Sequence, residues 1–210
     1  MPDAAPRTFA VRHLQMARAL FAAVAAVMIT FSSDHSAPVG VSVFGGFATA
    51  TALIFLISVW LVFPAGARWP SVLLGAVTLV AGMVATFPAV RTTEGYFLLV
   101  AIWAFVFGVV ELVIGIVGRR RGWDASRDAI FVGALTLVLG AGLIVTNPAY
   151  RLDYFIEEAG RSFTLTGITI GVGLFGAYAA IVAVFLGIAA FSPRPVASTA
   201  DVADAPGGTA

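Results

Sequence analysis

Long apolar runs separated by short polar breaks organise this chain. Six stretches approach the ~20 residues that a bilayer core asks of a helix. They cover 14–31, 39–63, 69–88, 95–118, 129–147 and 164–191. The second and sixth exceed that need, which predicts tilt or protrusion. Pro193 and Pro195 stop the sixth, and the remainder is rich in Ala, Asp, Gly and Pro, a composition that predicts disorder. The expected fold class is all-α: an integral membrane bundle of six transmembrane helices, built from three helical hairpins. Residues 14–191 form the transmembrane domain, 1–13 an N-terminal segment and 192–210 a disordered tail.

The first run has a second reading. Arg7, Arg12 and Arg18 precede a charge-free stretch of signal-peptide length. The polar region after it lacks a good small-x-small cleavage site, and Pro38 follows Ala37. Arg18 can snorkel to the interface and let a retained helix begin at Leu14. A retained helix is the expectation.

Composition closes off other classes. The 210 residues are 60% hydrophobic and 11% charged, against about 25% charged in a soluble domain. Mean hydropathy is +1.00. With no cysteine, there are no disulfides, thiolate nucleophiles or Cys-ligated metals. The two histidines, His13 and His35, flank the first run on opposite sides, so no metal or haem site is expected. A net charge of +1 leaves no basic face for nucleic acid. No phosphate-binding loop, dinucleotide fingerprint or nucleophile-elbow motif occurs. No cofactor is expected.

Arginine placement predicts orientation. With the N-terminus inside, Arg7, Arg12, Arg18, Arg68, Arg119, Arg120, Arg121, Arg127 and Arg194 fall on the cytoplasmic side. Arg91, Arg151 and Arg161 fall outside. Both termini are therefore expected in the cytoplasm. Trp60, Trp69 and Trp123 would mark the inner interface, and Tyr96, Tyr150 and Tyr154 the outer one. Arg151–Arg161, with Tyr154 and Phe155, fits an interfacial helix or a partner surface.

The third and fifth runs repeat each other. The eight residues from Gly75 to Gly82 match those from Gly133 to Gly140 at six positions, and each run ends in Pro-Ala-x-Arg. Glycine recurs every seven residues at Gly75/Gly82, Gly108/Gly115 and Gly133/Gly140, which places each pair on one helix face. Gly167 and Gly171 add a Gly-x-x-x-Gly. Small residues let helices approach closely in lipid. The glycine faces fit a monomer or a homo-oligomer within the lipid bilayer.

The fourth run reads Trp103-Ala-Phe-Val-Phe-Gly108-Val-Val-Glu111-Leu-Val-Ile-Gly115, followed by Arg119–Arg121. The sixth echoes it as Leu174-Phe-Gly176-Ala-Tyr178, with Ala179 in the place of Glu111. This hairpin pattern resembles the HdeD-like acid-resistance membrane family across 69–191, and less so in the first hairpin. The resemblance implies a non-enzymatic bacterial inner-membrane protein with a role in acid or envelope stress. It implies no reaction and no substrate.

Glu111 is the one acid in the middle of a run, about 10 Å from the inner end of its helix. A charge near the bilayer centre costs roughly 2.5–3.5 kcal/mol even on the lenient insertion scale. It can be relieved by protonation, by hydrogen bonds to Thr78, Thr136 or Tyr178, or by pairing with Arg18. Glu111 is thus either a structural anchor or a proton site in a small transporter or channel. Prolines at run ends rather than run centres count against a broken-helix transport site.

Overall fold

The computed structural model describes residues 9–63, 65–123 and 125–192. The expected N-terminal segment up to residue 8 and the expected tail from residue 193 lie outside the described residues. Among the described residues, six α-helices form the body: α1 (Val11–Phe31), α2 (Ala37–Leu61), α3 (Trp69–Val84), α4 (Thr93–Arg120), α5 (Ser126–Val145) and α6 (Gly167–Phe191). Five of them are long and apolar enough to cross a membrane. Their outward faces carry side chains such as Leu53, Ile57, Leu98, Ile102, Val138 and Val184, all exposed in the isolated chain. Such a belt suits acyl chains rather than water.

The exception is α3. Its 16 residues span ~24 Å, short of the ~30 Å hydrocarbon core. The expected helix to Pro88 fails because a residue before proline is pushed out of the helical region. Phe87 is indeed extended (φ −73°, ψ 132°), and Pro88–Val90 form a 3-10 turn. The other ends follow local chemistry. Pro38 and Pro70 sit in the first turns of α2 and α3, where their missing N–H costs nothing. The Thr92 hydroxyl accepts from the Gly95 amide at 3.0 Å and caps α4. Arg119 and Arg120 complement the dipole at its far end.

The tightest helix partnerships are α4 with α5, α1 with α6 and α2 with α3. They run across the sequence repeat: α3 copies α5, yet each odd helix packs hardest on an even helix outside its own repeat unit. The two inner pairs are built alike. Gly75 faces Leu56 and Phe55, and Gly133 faces Leu112; Gly82 faces Thr49, and Gly140 faces Phe105. A shift of 56 residues carries Leu56 and Thr49 of α2 onto Leu112 and Phe105 of α4, while 58 carries the α3 glycines onto α5.

The even helices supply the centre. Phe44 and Phe47 of α2, Trp103 and Phe107 of α4, and Phe175 and Tyr178 of α6 form one aromatic cluster. Most contacts are edge-to-face at 5–6 Å, the geometry aromatic quadrupoles favour. Tyr96, expected at the outer interface, is instead fully buried. Its hydroxyl donates to the Gly171 carbonyl at 3.2 Å and ties α4 to α6.

The segment between α5 and α6 is not a helix. Strands β1 (Arg151–Ile156) and β2 (Arg161–Thr166) pair antiparallel, from Arg151 opposite Thr166 to Ile156 opposite Arg161. A 3-10 turn at Glu157–Ala159 and a left-handed Gly160 (φ +60°) close the hairpin. Leu152, Tyr154 and Ile156 fall on alternate positions, which suits a strand, with Phe155 the one apolar residue out of phase. The sixth helix accordingly starts at Gly167, not at 164. Its first amide donates to the Tyr150 carbonyl at 2.8 Å and pins the hairpin's base.

Two outcomes follow. A Cβ on Gly133 would lie 2.5 Å from the Leu112 backbone nitrogen, whereas one on Gly46 meets nothing within 4 Å. Gly133→Ala should cost about 1–3 kcal/mol through overpacking, and Gly46→Ala should be tolerated; thermal unfolding in detergent compares them. Asp153 is held below the usual carboxylate range, first by a hydrogen bond from the Thr164 hydroxyl and then by one from Arg151. That stabilisation is complete above ~3.9 and is lost as pH falls through the lower folded value. A carboxyl titration by NMR should therefore find Asp153 below ~3.9; an ordinary or raised value would break the account.

Candidate functional site

The polar interior is built at the end of the bundle where α1 begins and α4 finishes. On α1, Gln15 and Arg18 are three residues apart and share a face. On α4, Trp103, Phe107 and Glu111 recur every four residues and form one inward stripe. Glu111 is 1% exposed and Arg18 11% exposed. Arg18 Nη2 donates to Glu111 Oε1 at 2.7 Å. Of the reliefs the sequence allows, the structure uses this one.

The pair is walled by aromatics. The Arg18 guanidinium lies 4.6 Å from the centre of the Phe55 ring, a cation–π contact in a desolvated setting. Phe55 leans on Phe107 at 6.1 Å, and Phe107 stacks on Trp103 at 5.2 Å. The 56-residue offset that relates Leu56 to Leu112 and Thr49 to Phe105 also relates Phe55 to Glu111. Arg18 thus contacts a ring of α2 and the carboxylate of α4.

Thr136 and Tyr178 form a second polar contact at 3.0 Å, joining α5 to α6. The Thr136 hydroxyl donates its only proton to the Val132 carbonyl at 2.7 Å. Tyr178 must therefore be the donor to Thr136. Thr78 is fully buried, and its hydroxyl is without a hydrogen-bond partner. Thr78 and Thr136 thus occupy equivalent helix positions with different bonding.

A third polar contact was not foreseen: the Gln15 side-chain amide donates to Asp128 Oδ2, linking α1 to α5. The signal was present, since Gln15 precedes Arg18 by one turn. Glu111 Oε2, Gln15 Oε1, Thr51 Oγ1 and Trp103 Nε1 are buried without hydrogen-bond partners. Among the described residues, no group of three or more His, Asp or Glu could hold a metal ion.

The helix-packing glycines lie at close approaches. Gly75, Gly82, Gly133 and Gly140 meet α2 and α4 as described. Gly108 faces the Gly133 carbonyl, Gly115 faces Ile130, and Gly171 faces the Phe97 ring. Gly167 abuts the Asn147 and Pro148 carbonyls at the start of α6.

Comparison with family models, with curated proteins and with solved structures finds no match to this chain. The site therefore has to be read from its own chemistry.

Removing one partner of a buried ion pair leaves an uncompensated charge, at about 3–5 kcal/mol. Arg18→Met should destabilise the bundle by that order. The double variant Arg18→Met/Glu111→Leu should recover much of the loss, because apolar replacement of a whole buried pair is often neutral. Unfolding of the three proteins in one detergent tests this; additive losses would refute the pairing.

Proposed function

We propose that this chain is a non-enzymatic multi-pass protein of a bacterial inner membrane, acting in acid or envelope stress tolerance through its folded body. The observation that carries the reading is the setting of Glu111. Its charge is matched by Arg18 at 2.7 Å, and the Phe107–Trp103 stack closes the interior on the side towards the β-hairpin. With both termini in the cytoplasm, as the arginine bias implies, external acid meets the aromatic cluster before it meets the carboxylate. Such a body keeps its internal charge pair while the outer face is acidified. It would act on lipid packing or on a protein partner, with no cofactor and no nucleic acid, alone or as a homo-oligomer. The resemblance of 69–191 to HdeD-like proteins supports the stress role.

A second reading has its own support. Glu111 Oε2 is buried without a hydrogen-bond partner, and the Gln15–Asp128 contact extends the polar layer across to α5. A proton-linked transporter or channel would use that carboxyl as its titrating group.

Acid-challenge survival of a deletion strain separates these readings. The strain carries wild type or Glu111→Gln, with membrane levels of both checked. Equal rescue supports the folded-body reading. Rescue by wild type alone, at equal protein level, would replace it with the proton-linked one. No rescue by wild type would overturn the stress role.

A further inference from the structure

The hairpin β1–β2 separates its residues by face. In an antiparallel pair, directly opposed residues project to the same side and neighbours alternate. One side therefore carries Leu152, Tyr154, Ile156, Phe163 and Leu165, with Arg161 at its end. The other carries Arg151, Asp153, Ser162, Thr164 and Thr166, with Phe155 as its single aromatic. Tyr154 stacks on Phe163 at 6.0 Å, and the Arg161 guanidinium lies 4.7 Å from the centre of the Phe163 ring. Leu152 and Tyr154 are nearly half exposed.

A two-stranded hairpin is marginal on its own in water. The bundle supports this one mainly at its base, where β2 runs into α6 and the Gly167 amide bonds to Tyr150. That base lies where two membrane-spanning helices, α5 and α6, end, so the nearest extended surface is the lipid headgroup layer. We propose that the hairpin lies on the bilayer, with the Leu152–Tyr154–Phe163–Leu165 face in the headgroup–acyl boundary and the Asp153–Thr164 face in water. Aromatic rings with a polar tip or a stacked guanidinium suit that boundary. Charge does not drive the contact. Arg151 and Arg161 are outweighed by Asp153, Glu157 and Glu158, so apolar burial sets the depth and anionic lipid is not required. The inference is independent of the stress role.

The chain contains no cysteine, so one introduced thiol carries one nitroxide without background. Full-length Leu152→Cys, Tyr154→Cys, Phe155→Cys and Ser162→Cys are spin-labelled and reconstituted in phosphatidylcholine vesicles. Collision with oxygen, which concentrates in lipid, is compared with collision with a water-soluble nickel chelate. The oxygen-to-nickel ratio should be several-fold higher at 152 and 154 than at 155 and 162, and unchanged by added phosphatidylglycerol. Equal nickel access at 154 and 155 would mean that the hairpin stands in water and would overturn the proposal. Shielding of 152 and 154 from both reagents would overturn it too, because a second copy or a protein partner would then cover the face.

Discussion

Lipid offers helices no reward for hiding apolar surface, since acyl chains are as apolar as leucine. A bundle in a bilayer must hold together by closeness of approach and by the few polar groups that find partners inside it. This constraint accounts for most of what is seen. Backbone meets backbone where Gly108 and Gly133 face each other, and side chain meets backbone at Gly82 and Gly171. Once the helices are that close, the even-numbered ones converge and must fill a narrow axis. They do so with stacked and edge-on rings from three helices.

The charge pair belongs to the same logic. An acid buried in a membrane bundle needs relief, and Arg18 supplies it here. The helix that supplies it packs mainly on α6, yet its arginine reaches α4 and rests on a ring from α2. One side chain therefore ties an outer helix into the centre. Glycines at matching positions give α3 and α5 the same close approach to their neighbours, and Glu111 with Arg18 makes their layer of the interior polar.

The sequence made the helices, the glycine faces and the isolation of Glu111 legible, because run length, a seven-residue period and a lone charge are local signals. Arg18 was among the partners open to Glu111, but choosing it over Thr78 or Thr136 needed the packing of α1. The pairing of helices was hidden, since repeats reveal which segments are alike and not which ones touch. Tyr96 resembled an interfacial anchor because it begins a span, and only the approach of α6 at Gly171 shows it buried. The hairpin was missed because charged residues at 151, 153, 157 and 158 masked the alternation between them. The end of α3, by contrast, could have been read from Pro88 alone.

The shortness of α3 carries its own consequence. Beside it runs an apolar groove of about 530 Å³, shared with α4 and lined by Val77, Val80, Leu98 and Ile102. A membrane whose hydrocarbon layer is thicker than the adjoining helix deforms until the two match, at fractions of a kcal/mol per ångström. The other five helices are long enough to cross it, and the longest meet any mismatch by tilt. The protein therefore presents the bilayer with an uneven height around its girth, thin on the α3 side and full elsewhere. By helix length alone, the apolar wall is lowest where α3 stands, and thinning of the bilayer or snorkelling of flanking residues is how a short segment is accommodated.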